Sequence, residues 1–301
     1  MTRSACLLPL LLLTSPALAE PLRIVTDTEM TASLVRMVGG DLVAPVALMP
    51  QGGDPHHYQL RPSQAGALQD ADLLVWVGPE LTPWLERARD GLAKGDNLAL
   101  LTVPGTRLRD WDGSEAHTDH HDHDHSHDGI DPHAFLDPGN GQLWLSGIAE
   151  ALAKQDGANA STYRANADTG RALLTTLDAE LATQMAPLAD QGFVVFHDAY
   201  GYFTNHYGMR PAMALALGDA TPPSAARLAR LRADLAANHA TCAFPEANHN
   251  PRQIEAFVAG TDLRIGAALD PSGAALPAGA DLYPQILRQM AQVLHDCMAP
   301  E

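Results

Sequence analysis

The sequence predicts an α/β protein of two lobes, each built on a parallel sheet, joined by one long helix. Short apolar runs alternate with segments of helical periodicity through both halves of the chain. A single helical pattern crosses the middle, 160–186, with Gly170 as its only glycine. The 301 residues suffice for two domains of ordinary size. A helix of that span is about 40 Å long at ~1.5 Å per residue, more than one small lobe needs, so it reads as the connector.

The first strand is 22–26, where Leu22, Ile24 and Val25 precede Asp27. Met30, Leu34, Val35 and Val38 then recur at helical spacing, and Gly39 and Gly40 stop the helix. Residues 43–49 form a second strand, closed by the turn residues Gly52, Gly53, Asp54 and Pro55. Ser63 is placed to N-cap a helix carrying Leu68 and ending near Asp72. Residues 73–77 make a fully apolar third strand, 84–92 a helix and 98–103 a further strand. Residues 111–132 break the rhythm, and a helix at 143–153 restores it before the connector. On the connector Leu173, Leu174, Leu177, Leu181 and Met185 lie at helical spacings. Beyond it, strands at 192–196, 213–217, 241–244 and 263–269 alternate with helices at 199–207, 224–238, 251–259 and 283–298. The expected organisation is a leader at 1–19, an N-terminal lobe at 20–158 with a His/Asp-rich loop at 113–131, a linker helix at 159–188 and a C-terminal lobe at 189–301.

Charge and export narrow the function classes. Thirty-six acids against 19 bases leave a net charge of −17, which argues against a nucleic-acid binder and against docking on anionic lipid. Hydrophobic residues make up 46%, enough for a real core. At the N-terminus Arg3, an apolar run at 7–13 broken by Pro9, and Ala17-Leu18-Ala19 before Glu20 read as a secretory leader cleaved after Ala19. The run is too short to span a bilayer. Cleavage removes Arg3 and leaves 18 bases against 36 acids, a net −18. Cys6 leaves with the leader. Cys242 and Cys297 remain, and two cysteines in an exported chain predict one disulfide. A closure across 55 residues is worth about 4 kcal/mol on chain-entropy scaling.

Four residues outside the acidic insert form a candidate metal set. His56 lies just past the second strand, His133 at the exit of the insert, His197 at the end of the 192–196 strand and Asp270 at the end of the 263–269 strand. Ligands of open α/β sheets bind at the carboxyl edge of the strands. No two of these residues share a strand–loop unit, and two fall on either side of the linker helix, which places the site in a cleft between lobes. Three imidazoles and a carboxylate make a closed tetrahedral zinc set, whereas Mg and Ca require more oxygens. An Asp before Pro is also an ordinary turn former, so Asp270 has a second reading. Glu246, at another strand end, reads as a residue supporting the ligands or the fold, with direct ligation the lesser alternative. His206, His239, His249 and His295 read as surface or core histidines.

The insert has its own chemistry. His117, His120, His121, His123, His125 and His127 interleave with Asp119, Asp122, Asp124 and Asp128. Residues 114–128 hold five acids and no base, and too few apolar side chains to order themselves. Neutral imidazoles ligate, and the acids raise the local cation concentration. The expected role is a weaker antenna for several metal ions rather than one fixed site.

At these residues the chain resembles a known family. Gly53-Asp54-Pro55-His56-His57-Tyr58-Gln59-Leu60-Arg61-Pro62-Ser63 is similar to the first-ligand motif of zinc-uptake ABC transporter solute-binding proteins. Asp72-Leu73-Leu74-Val75-Trp76-Val77-Gly78-Pro79-Glu80, Asp131-Pro132-His133, Val194-Val195-Phe196-His197-Asp198-Ala199-Tyr200-Gly201-Tyr202-Phe203 and Leu269-Asp270-Pro271 continue the likeness over nearly the whole exported chain. The resemblance implies two Rossmann-like lobes bridged by a rigid helix, with metal between them and only small local rearrangements on binding. It implies a Cys242–Cys297 disulfide of the zinc branch and a preference for zinc, since manganese carriers of the family usually place Glu at the position of His197. It assigns His56 as first ligand, while His57 stands where many relatives have Asp. In some zinc-specific relatives the fourth ligand is water or an acidic loop residue, so Asp270, a loop residue and water all stay open. It further implies a monomer in the periplasm, an inner-membrane ABC permease as partner and a periplasmic zinc-donor protein as a possible second one.

Two other functions use the same residues. A zinc hydrolase keeps an open coordination position with a general base nearby, but the chain has neither H-E-x-x-H nor G-x-S-x-G, and no nucleophile accompanies His197 and Asp198. A passive periplasmic zinc buffer, or a carrier of manganese or another divalent ion, differs from a zinc carrier by partner or metal rather than by motif. The expected function is a high-affinity zinc carrier and not an enzyme.

Overall fold

A computed structural model describes residues 22–110, 129–216 and 223–299. The N-terminal lobe follows the predicted alternation: β1 (Ile24–Thr26), α1 (Glu29–Gly39), β2 (Val46–Ala47), α2 (Pro62–Asp70), β3 (Leu73–Trp76), α3 (Pro83–Leu92), β4 (Asp96–Ala99) and α4 (Pro138–Gln155). Helix α5 (Ala160–Met185) leads into the C-terminal lobe. That lobe comprises β5 (Phe193–His197), α6 (Gly201–His206), β6 (Met213–Ala216), α7 (Ala225–Asp234), β7 (Cys242–Phe244), α8 (Arg252–Val258), β8 (Arg264–Ile265) and α9 (Leu282–Met298).

Both sheets are four-stranded and wholly parallel, with orders β2-β1-β3-β4 and β6-β5-β7-β8. The two lobes therefore share one topology, reversing direction between β1 and β3 and again between β5 and β7. The central strands β1, β3, β5 and β7 are buried on both faces, as apolar runs flanked by helices require. Registers run Ile24 to Leu73 and Phe193 to Cys242.

Edge strands are shorter than their apolar runs suggest. β2 holds only two residues of the expected 43–49, because Pro45 offers no N–H to a ladder. Leu48 and Met49 still donate to the carbonyls of Thr26 and Asp27, at 2.8 and 2.9 Å. The expected strand at 98–103 ends at Ala99, where Leu100–Thr102 curls into a 3-10 turn closed by Thr102 Oγ1 on the Ala99 carbonyl, 2.7 Å. The strand expected to reach residue 269 stops at Ile265, and Leu269 makes only an isolated parallel bridge to Glu246. Gly266 follows β8 because the Phe244 ring occupies the space beside it: a Cβ there would lie 2.3 Å from Phe244 Cε1.

Helix starts follow local chemistry. Thr28 caps α1, its hydroxyl accepting from Thr31 N at 3.2 Å, and Ser224 caps α7 through Arg227 N at 3.2 Å. Ser63, expected as a cap, sits inside α2, which starts one residue earlier at Pro62. Proline is preorganised for the first helical position, and Arg61 N donates to the Gln64 side chain at 2.7 Å. α4 starts at Pro138 rather than 143, capped by Asp137.

α5 is about 39 Å long at ~1.5 Å per residue. Tyr163, Ala167, Gly170, Leu174, Leu177, Leu181 and Met185 form its buried stripe. Gly170 lets α4 approach: a Cβ would stand 2.9 Å from Leu145 Cδ1. α9, last in the chain, packs against α1 and α5. It is tied across the lobes by Ser33 Oγ to the Ala280 carbonyl (2.8 Å), Tyr283 N to Ser33 Oγ (3.0 Å) and Tyr283 OH to the Phe135 carbonyl (2.9 Å). One apolar core runs without a break from Ile24 and Val75 through α4 and α5 to Val195, Phe244 and α9. A shared core resists wide hinge opening, because separating the lobes exposes that apolar surface to water. Cys242 and Cys297 form a disulfide that fastens β7 to the last turn of α9.

The leader at 1–19, the six insert histidines and the end of the 213–217 strand lie outside the described residues. Among the described residues, no helix is long and apolar enough to cross a membrane.

Candidate metal centre

The carboxyl edges of both sheets face one cavity of about 270 Å³. His56, His133, His197 and Asp270 all line it, together with Glu246 and His249. His57 does not; its side chain is 58% exposed, which separates it from His56.

The loop carrying His56 is held from two sides. The Trp84 indole N–H donates to the Pro55 carbonyl at 2.8 Å, and Asp54 accepts the His56 N–H at 2.8 Å. The second Asp54 oxygen takes the His57 ring Nδ1 at 3.0 Å, which turns that ring away from the cavity. Gln51, on the same loop, donates to the Gly273 and Leu276 carbonyls of the C-terminal lobe at 2.7 and 2.5 Å.

His133 and His197 are buried and share one device. Asp131 accepts both the backbone N–H and the ring Nδ1–H of His133, at 3.0 and 2.9 Å. Arg109 balances the Asp131 charge at 3.6 Å. His197 is the last residue of β5. Glu246 lies two residues beyond β7, so the parallel pairing of β5 with β7 brings it alongside. Its Oε1 accepts the His197 backbone N–H at 3.2 Å and its Oε2 the ring Nδ1–H at 2.5 Å. A carboxylate on Nδ1 fixes the tautomer and leaves Nε2 as the donor atom, the arrangement that metal-binding histidines show. Burial, and then the nearby charge of Asp131, push the Asp198 carboxyl above the ordinary range.

Neighbouring rings come near the spacing that one ion requires, though the donor atoms of the three histidines do not all lie within 4.8 Å of one another. His56 and His133 centroids lie 5.6 Å apart, His133 and His197 5.4 Å. Three imidazoles bound through nitrogen at about 2.0–2.1 Å around a tetrahedral zinc place their centroids roughly 5 Å apart. Asp270 is buried and occupied on both oxygens: Oδ1 accepts from Ala274 N and Oδ2 from Ala275 N, each at 2.8 Å, so it shapes its own loop. Among the described residues, the three whose donor atoms approach within 4.8 Å of one another are His197, Glu246 and His249, not the predicted four.

His206, which sequence reading left as an ordinary histidine, bridges α4, α5 and α6. Its Nδ1 lies 3.0 Å from Asp137 and its Nε2 2.8 Å from Asp178. Burial opposes its charge, but the two carboxylates outweigh burial and hold the imidazole above its usual range. Burial likewise opposes the Asp137 charge, and the hydrogen bond and charge of His206, then Gly139 N and Arg107, hold that carboxyl below its usual range. The His206 contribution to stability is therefore complete below about pH 6.5 and lost as pH rises through the raised folded value. That of Asp137 is complete above about pH 3.9 and lost as pH falls through the lowered one. In urea unfolding, His206→Gln should cost more stability at about pH 6 than at about pH 9. An equal cost at both would show that the bridge is uncharged.

Residues 24–297 match the family described as zinc-uptake complex component A, periplasmic (ZnuA). A high-affinity zinc uptake system protein ZnuA of Paracoccus denitrificans is 52% identical over 308 aligned positions, covering 95% of this chain and 94% of the relative. The protein of the same name from Brucella suis is 33% identical, over 92% of this chain and 91% of the relative. Among solved structures, a zinc-bound 138–173 deletion mutant of ZnuA is 26% identical with a TM-score of 0.79, covering 94% of this chain and all of the other. A periplasmic zinc binding protein, TroA from Treponema pallidum, shares the fold with a TM-score of 0.80 at 22% identity, over 94% of this chain and all of the other. With two parallel-sheet lobes and a histidine-lined cleft between them, the chain belongs to the periplasmic zinc-uptake component A family.

Proposed function

We propose that this protein binds zinc in the periplasm and delivers it to an inner-membrane ABC permease. The ion sits between the lobes on His56, His133 and His197, with Asp270 as fourth ligand through a lone pair its loop does not use. The chain catalyses no reaction; its family is one of transport. Two buried imidazoles carry the reading, each with Nδ1 braced by its own carboxylate and both facing one cavity with His56. Three imidazoles favour zinc over manganese, which takes a harder, oxygen-rich set.

In this reading the leader is cleaved after Ala19, the protein acts as a monomer, and His117, His120, His121, His123, His125 and His127 gather zinc from solvent or from a periplasmic donor protein. Zinc titration of the exported protein should find one tight site plus weaker ones, and a variant lacking 114–128 should keep the tight site alone. Loss of tight binding in that variant would place the ligands in the insert instead. Zinc-limited growth of a deletion strain separates a carrier from a passive buffer, since only loss of a carrier starves the cell.

A further inference from the structure

The imidazole row does not end at His197. The His249 ring centroid lies 5.6 Å from that of His197, the same step as between the preceding pairs. Phe196 stacks on His249 at 4.2 Å, and His249 N donates to the Glu246 carbonyl at 3.1 Å, so the side chain is placed by both ring and backbone. His249 Nε2 stands 3.7 Å from Glu246 Oε2. Two donors on one tetrahedral zinc lie about 3.4 Å apart, a few tenths of an ångström closer. Glu246 Oε2 already accepts from His197, yet a carboxylate oxygen offers a second lone pair. The His249 side chain is 21% exposed where Glu246 is 2% exposed, so His249 is the member of the pair that solvent reaches.

We propose that His249 and Glu246 form a second position for a divalent transition-metal ion in the cleft, beside the three-histidine set and completed by water. The inference rests on the reading of that set as the zinc site and adds an outer station to it. With two protein donors the outer position is the weaker one and fills after the inner one. Its carboxylate is the group that braces His197, so the two positions share one side chain.

Crystals of the full exported chain soaked in excess zinc, with anomalous maps on either side of the zinc edge, test this. Wild type should show one peak at His56, His133 and His197 and a second within about 2.3 Å of His249 Nε2 and a Glu246 oxygen. His249→Gln should keep only the first. An inner peak with nothing at His249 would overturn the proposal and leave a histidine–carboxylate pair only. Absence of the inner peak would overturn the reading of the centre itself. In solution, wild type and a His295→Gln control should take up one more cobalt equivalent than His249→Gln; equal uptake by all three would also overturn it.

Discussion

Replacing His197 by alanine should lower zinc affinity by more than about 100-fold, whereas His57→Ala should change it by only a few-fold. His197→Ala removes a buried donor and at once leaves the Glu246 carboxylate without the ring it holds, in a pocket where neither group is easily hydrated. His57 is of the same residue type and next to a proposed ligand, but its ring lies outside the cavity and engages Asp54. Its loss loosens the Asp54 brace on His56 without removing a donor. Between these limits, Glu246→Gln and Asp131→Asn should each cost about 10–100-fold, the range found when the partner of a metal-bound histidine is changed. Competition against a chromophoric chelator orders the four variants. Wild-type affinity in His197→Ala, or equal losses in His57→Ala and His197→Ala, would sink the assignment.

The disulfide sets the second large effect. A Cys242→Ala, Cys297→Ala double variant should unfold with about 4 kcal/mol less stability, and with a Tm lower by roughly 10 °C, when both proteins are metal-free. The bond closes 55 residues and joins β7, which leads to Glu246, with the end of α9, which packs on the other lobe's α1. Its loss releases chain entropy in the unfolded state and leaves the native contacts in place. Wild type treated with a reductant should show the same shift in urea or thermal unfolding. A loss below about 1 kcal/mol would mean that the unfolded chain is already constrained in this region.

The strand–helix alternation was legible because each element carries its period locally. Fully buried strands such as β3 and β5 read as unbroken apolar runs. Strand length was less legible at the edges. Leu100 and Leu101 continue an apolar run, yet they are buried in a 3-10 turn, since an edge strand has one neighbour and a side-chain hydroxyl competes for its carbonyls. Asp131 stands two residues before His133, yet its bond to that ring came only from the folded loop. Glu246 was readable as a supporting residue, but 49 positions separate it from His197, and nothing in that spacing names the partner.

The sequence by itself determined the chemistry available: two α/β units, an acidic chain, two cysteines outside the N-terminal apolar run, and histidines at loops that follow strands. Tertiary structure decided which of these meet. It put His56 rather than His57 in the cavity, gave His197 a carboxylate from the loop after a neighbouring strand, bound both oxygens of Asp270 to its own loop and brought His249 and His206 into contact with acids. The physical reason lies in range. Periodicity and donor type are properties of a few consecutive residues, whereas the face that an imidazole presents depends on parallel strand order and on loops closing across two lobes.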